Sequence, residues 1–186
     1  MRHVAGIDPS LTSTGIAVLT ETLGCSKFPP RIFLTVESYK PTMTGSGAGA
    51  EVARVQSVVE QVCESTHSAE LILIEGLALS SRTGKYAERA HLYYSLHAAY
   101  LARRRNVDTV APTSLKKLVT GNGRADKDQV LDAVRAAWSD RGWSDGLKTG
   151  RYDRADAAAL AWVAAARSGW DVPELPGQPA SRARAA

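Results

Sequence analysis

Four carboxylates stand where the chain could do chemistry. Asp8 closes a short stretch in AGIDPS, Glu75 closes an apolar run in LILIEG, and Asp153 and Asp156 open an alanine-rich segment, YDRADAAALA. The last two are spaced i, i+3 and so share one face of a helix. Acids gathered at one point repel unless cations neutralise them, and hard oxygen donors select Mg²⁺ or Mn²⁺. Each acid also has a plain structural role open to it. Asp8 before Pro9 suits a turn, Glu75 a solvated strand end, Asp153 a helix N-cap, and Asp156 the positive end of a helix dipole. Their joint occurrence favours chemistry. So does the abrupt end of LILI in Glu, because a charge beside a core costs several kcal/mol unless it is paired or metal-bound.

Strands and helices must position these acids. His3 to Asp8, Thr14 to Glu21 and Arg31 to Tyr39 read as strands, with Pro29-Pro30 marking one of the turns between them, and together they predict a three-strand antiparallel meander. Pro41 to Ala50 reads as a flexible connector, and its glycines lack the Lys-Ser/Thr of a phosphate loop. Glu51 to Thr66 turns helical, with Val52, Val55, Val59, Val62 and Cys63 on one apolar face. Leu71 to Glu75 predicts a buried central strand. Lys85 to Arg105 predicts a helix and Val107 to Ala111 a strand; Thr113 to Thr120, Lys127 to Trp138 and Asp153 to Ser168 predict three further helices, with Asp140 to Tyr152 a glycine-punctuated loop. The order β-β-β-α-β-α-β-α-α-α makes an α/β domain on a mixed sheet, the meander first and then strands reached through helices. In open α/β sheets ligands sit outside strand ends, which is where the acids would converge.

The 186 residues make one domain, 1–170, with 171–186 (Pro173, Pro176, Pro179) expected as a flexible tail. At 44% apolar and 23% charged residues the chain is neither wholly disordered nor collagen-like. No run approaches the roughly 18 apolar residues of a membrane span, and the opening MRHVAGIDPS does not read as a secretory signal. Cys25 and Cys63 are too few for a metal cage or disulfide framework; they read as reduced thiols of a cytoplasmic protein, Cys63 in the core. Charge is uneven. Residues 82–154 carry 15 Lys and Arg against 8 Asp and Glu, and the remainder 8 against 11. A basic half points to a polyanionic partner, nucleic acid first.

From about Val4 to Arg167 the chain resembles the RuvC family of Holliday-junction resolvases, in the ribonuclease H-like superfamily. GIDPSLTSTGIAVL resembles the family's opening strand-turn-strand with Asp8, LILIEG its second acidic strand with Glu75, and YDRADAAALA its terminal acidic helix with Asp153 and Asp156. LKKLVTGNGRADKDQVLDAV resembles its basic segment, where Lys116 and Lys127 match two functional lysines. No one motif is specific; four in order and spacing are. The resemblance implies a ribonuclease H-like fold with a three-strand meander plus two parallel strands flanked by helices. It also implies hydrolysis of a DNA phosphodiester in four-way junctions, and a homodimer. It leaves open a branch-migration motor as a partner. One departure stands out. The best-known bacterial members have an aromatic just past the second acid, whereas here Gly76-Leu77-Ala78-Leu79 follows Glu75, with no aromatic before Tyr86. The expected substrates therefore extend to other branched DNA.

The chemistry suits two metal ions about 3.5–4 Å apart. Asp8, on the expected central strand, would bridge them, with Glu75 and Asp156 on one ion each and Asp153 assisting. Lys127 would stabilise charge on the phosphate in the transition state, and Lys116 would do the same or grip a neighbouring phosphate. Arg82, Lys85, Arg89, Arg124, Arg151 and Arg154 are candidate backbone contacts, which position without specifying. Tyr86, Tyr93 and Tyr100 form a heptad-spaced stripe. Such spacing marks a packed face, in the core or between subunits, ahead of a stacking platform for bases. Three other readings compete. The first motif also resembles the phosphate loop of sugar kinases and chaperone ATPases, but those use two such domains. A non-catalytic branched-DNA-binding protein would not need the four acids. A ribonuclease H acting on RNA–DNA hybrids would have to read 2′-hydroxyls.

Overall fold

The computed structural model describes residues 1–24, 31–42, 45–77, 86–138 and 150–178. Ten elements follow the predicted order: β1 (Arg2–Asp8), β2 (Thr14–Glu21), β3 (Ile32–Tyr39), α1 (Ala48–Ser65), β4 (Leu71–Glu75), α2 (Tyr86–Ala102), β5 (Val107–Val110), α3 (Pro112–Thr120), α4 (Lys127–Ala137) and α5 (Arg151–Arg167). The sheet order is β3-β2-β1-β4-β5. The first three strands pair antiparallel, and β4 and β5 add in parallel to β1. This is the mixed five-stranded sheet expected, with β1 at its centre.

Strand side chains alternate between faces, so each strand feeds two cores. Val4, Ala17, Leu19, Leu73 and Val110 pack with α3, α4 and α5 on one face. Ala5, Ile7, Ile16, Ile72 and Ile74 pack with buried residues of α1 and α2 on the other. The same alternation decides where the acids point. Asp8 continues the Val4–Gly6 series and Glu75 the Leu71–Leu73 series, so both lie toward α5.

The alanine richness of α5 is what lets it sit so close. Ala155, Ala157, Ala158, Ala161, Ala164 and Ala165 are all buried. Beneath the helix lie Gly6, where an added Cβ would come 2.2 Å from the Ala157 carbonyl oxygen, and Gly15, where it would come 2.0 Å from that of Asp153. Two side-chain-free strand positions and a helix face of methyl groups bring backbone against backbone. That contact carries the first turn of α5 to the C-terminal end of β1.

Three details depart from the sequence reading. The buried face of α1 is Val55, Val58, Val62 and Cys63, while Val52 is 42% exposed. The helix begins at Ala48, inside the expected connector, which shifts its first turn away from the core. The expected flexible tail is docked over 171–178: the Trp162 indole donates to the Pro173 carbonyl at 2.7 Å, Leu175 is buried, and the Gly177 amide donates to the Leu118 carbonyl at 2.8 Å. Its prolines stop helix formation, but Leu175 supplies an apolar anchor that a count of prolines does not weigh. Residues 179–186 lie outside the described residues, as do Cys25, Pro29-Pro30 and most of the glycine-punctuated loop. No helix among the described residues is long and apolar enough to cross a membrane.

Candidate active site

The strand register brings the first two acids together. Ile7 pairs with Ile74 in the parallel β1/β4 ladder, and Asp8 and Glu75 each come one residue later. α5 supplies the others from above. Its N-cap is Gly150, not Asp153 as its sequence position suggests, so Asp153 lies within the first turn and Asp156 one turn further along the same face.

These four carboxylates line one cleft of about 330 Å³ together with Pro9, Ser10, Gly76, Leu77, Tyr86, Arg89, Pro112, Lys116 and Lys127. The two lysines arrive on separate short helices. Lys116 is at mid-length in α3, which opens with Pro112 at its N-terminus. Lys127 is the first residue of α4. That end is fixed by a capping box: the Asp126 carboxylate accepts from the Gln129 amide at 2.8 Å, and the Gln129 side chain accepts from the Asp126 amide at 3.0 Å. The Lys127 ammonium lies 5.4 Å from the centre of the Tyr152 ring.

Electrostatics at the cleft follow from crowding. Burial, and then the charges of Glu75, Asp156 and Asp153, hold the Asp8 carboxyl well above its ordinary range. Burial also raises Glu75 to about 7, with Asp156 adding to the rise, while a hydrogen bond with Asp8 and the charges of Lys116 and Lys127 oppose it. Asp156 is raised to about 6, first by burial; Lys127 pulls it back, Asp153 pushes it up, and Lys116 pulls it back again. A cluster of acids that holds protons this tightly is a site that favours cations.

The donor set fits a hard divalent cation. The cleft is lined by four carboxylates and by no Cys or His, which suits Mg²⁺ or Mn²⁺ and not a thiolate-seeking metal. Among the described residues, no three acidic, His or Cys side chains form a closed metal-binding group. The four carboxylates line the cleft from two strands and one helix.

The basic residues divide. Lys116, Lys127 and Arg89 line the cleft. Arg151 lies against the Tyr152 ring and 3.6 Å from Asp128. Arg154 donates to the Ser38 hydroxyl at 3.2 Å, on β3, and Arg124 is exposed; neither lines the cleft. Arg82 and Lys85 lie outside the described residues. Sequence reasoning did not single out Ser10 or Pro112 for the cleft. A signal for Ser10 was present: the run Ser10-Leu11-Thr12-Ser13-Thr14 is rich in hydroxyls, and the Ser10 side chain bonds the Thr12 and Ser13 amides, folding the turn after Asp8 on itself.

The model of the family described as crossover junction endodeoxyribonuclease RuvC matches residues 4–163. The chain is 30% identical over 161 residues to the RuvC crossover junction endodeoxyribonuclease of Mycolicibacterium vanbaalenii, covering 86% of this chain and 76% of the relative. It is 27% identical over 159 residues to that of Corynebacterium efficiens, covering 86% and 66%. Thermus thermophilus RuvC, solved in complex with a Holliday junction substrate, superposes with a TM-score of 0.64 at 25% identity, over 91% of this chain and 97% of that one. The matched span runs from β1 into α5 and so takes in every element that supplies an acid or a lysine to the cleft. This chain belongs to the RuvC family of crossover junction endodeoxyribonucleases.

Proposed function

We propose that the chain cuts branched DNA, four-way junctions first, at the cleft where Asp8, Glu75, Asp153 and Asp156 converge, with Mg²⁺ as its metal and Mn²⁺ able to replace it. The observation that carries this is the convergence itself: acids from two parallel strand ends and one helix turn meet in a cleft walled by two lysines. Asp8 would be the ligand shared by a pair of ions, with Glu75 and Asp156 holding one each and Asp153 assisting. Bound there, divalent cations would neutralise phosphate charge and make water a competent nucleophile near neutral pH.

The chain's own residues do the rest. Lys116 and Lys127 present fixed positive charge to a phosphate in the cleft, and most effectively to the extra charge that develops as a bond to phosphorus forms. Arg89 holds the strand by its phosphates. α2 also offers a surface for the homodimer that the family resemblance implies. Ala87, His91, Tyr94, Ala98 and Leu101 are exposed, at the alternating spacing of four and three residues that makes a helix–helix seam, with Tyr94 and Leu101 at 65% and 64%. A junction has approximate two-fold symmetry, and a C2 dimer would put one cleft on each of two strands.

The test is a cleavage panel: an end-labelled four-way junction, a flap, a linear duplex and an RNA–DNA hybrid, each with Mg²⁺ and with EDTA. Paired cuts in the junction with Mg²⁺ alone are expected. Binding without cutting would favour a non-catalytic junction binder, and preferential cutting of the hybrid a ribonuclease H.

A further inference from the structure

Lys127 reaches the cleft from an exposed helix start. Its side chain is a flexible four-carbon stem, and holding such a stem in one place costs rotamer entropy. Among the described residues its ammonium makes no salt bridge. The contact it does make is with the Tyr152 ring. The 5.4 Å from ammonium to ring centre lies inside the reach of a cation on an aromatic face, about 6 Å.

Tyr152 is itself held. It is half-buried in the first turn of α5, directly before Asp153. Its hydroxyl donates to the Asp128 carboxylate on α4 at 2.8 Å. The same hydroxyl accepts from the Arg151 guanidinium, whose centre lies 4.6 Å from the ring centre. Tyr152 thus ties the first turn of α4, which carries Lys127, to the first turn of α5, which carries Asp153. The exposed Arg151–Asp128 pair is worth little by itself, but a hydroxyl bonded to a carboxylate is charge-assisted. Both bonds constrain the one ring on which Lys127 lies.

Packing of α4 on α5 does not explain this arrangement. Val130, Val134, Leu160 and Trp162 supply that packing in the core, and Tyr152 is outside it. Arg151 and Tyr152 take up the charge of Asp128, the acid next to Lys127 in the chain, which leaves the ammonium for the cleft. A cation fixed in advance is worth most where charge develops, because nothing has to reorganise as the bond to phosphorus forms.

Resting on the nuclease reading above, we propose that Tyr152 is a positioning residue for cleavage: bonded to Asp128 and Arg151, its ring holds the Lys127 ammonium at the phosphate site of the cleft.

The experiment has two readouts on the full chain, with thermal melting of each variant as a check on folding. The first is NMR of the free protein, without metal or DNA. The Lys127 ε-methylene protons, assigned with Lys127→Ala, should be shifted upfield by the ring in wild type and in Tyr152→Phe. They should return to the ordinary lysine position in Tyr152→Leu. The second is single-turnover cleavage of saturated four-way junction in Mg²⁺. Tyr152→Leu should be slowed roughly 2- to 30-fold, the worth of one cation–ring contact, and should add nothing further in the Lys127→Ala background. Tyr152→Phe, which keeps the ring but not the bond to Asp128, should be slowed less. A merely structural role would slow wild type and Lys127→Ala by the same factor. The proposal is overturned if wild type shows no ring shift at Lys127, if Tyr152→Leu slows both backgrounds equally or neither, or if Tyr152→Phe is slowed as much as Tyr152→Leu. Failure of wild type to cut would count against the nuclease reading, while the ring shift still decides whether Tyr152 holds Lys127.

Discussion

Asp8 and Glu75 are neighbours across a parallel ladder, each one residue past the Ile7–Ile74 rung, and both carboxyls are held above their ordinary range, first by burial. Two acids this close, with Asp156 and Asp153 above them, are a cost to the metal-free fold. Their folded-state pKa values are raised: Glu75 goes from 4.5 to about 7, Asp156 from 3.8 to about 6, and Asp8 shifts in the same direction. The folded chain therefore holds these protons more tightly than the unfolded chain. The stability this confers is fully present below about pH 4 and lost as pH rises through 6 and 7. In EDTA this contribution should lower Tm across that window, and Mg²⁺ should recover it at pH 7.5. Asp8→Asn should raise Tm in EDTA by roughly 2–4 °C for each kcal/mol of repulsion relieved, and should gain less from Mg²⁺. Melting curves with and without Mg²⁺ check both.

The close seating of α5 on β1 and β2 makes a second prediction. Gly15→Ala puts a Cβ 2.0 Å from the Asp153 carbonyl oxygen, and the backbone must give way. We expect a loss of about 1–3 kcal/mol. Cleavage should also fall, because the helix that moves carries Asp153 and Asp156. Gly49→Ala is the control: nothing lies within 4 Å of its added Cβ, and helix propensity favours the change. Equal Tm for the two variants would show that α5 is not held by this contact.

Lys127 and Arg89 line the same cleft but should fail differently. Lys127 is fixed at the capped start of α4, where a cation opposes the helix dipole and is better explained by something strongly negative in front of it. Lys127→Ala should slow single-turnover cleavage of saturated junction by roughly 10²–10³-fold, with affinity changed by less than about 1 kcal/mol. Arg89→Ala should weaken binding and leave cleavage at saturation nearly normal. Rapid-quench cleavage and mobility-shift titration of both variants separate the two roles.

The strands were the most readable part of the sequence. Thr14–Glu21 and Leu71–Glu75 fall where alternation and an apolar run place them, because sheet pairing buries what the pattern marks. The acids were readable as positions but not as a cluster. Nothing in LILIEG alone shows that Glu75 ends beside Asp8; the β1/β4 register does that. The seating of α5 depends on Gly6 and Gly15, which in sequence look like ordinary strand glycines and reveal their purpose only when the helix lies on them. Arg151 and Arg154 looked alike in a basic run, yet one lies against Tyr152 and the other bonds β3, because neighbours on a helix face different ways. The docked 171–178 segment was missed because Leu175 is a single apolar anchor among prolines.

In the function proposed above, Asp8 supplies charge for metal-dependent cleavage and is not needed for grip on the DNA. The most direct measurement compares wild type and Asp8→Asn on one labelled four-way junction, with cleavage followed in Mg²⁺ and affinity measured in EDTA. Asp8→Asn should retain affinity, or gain slightly because a negative charge facing phosphates is gone, and should show no cleavage above the EDTA background. Cleavage by Asp8→Asn at near wild-type rate in Mg²⁺ would contradict the assignment of this cleft as the active site.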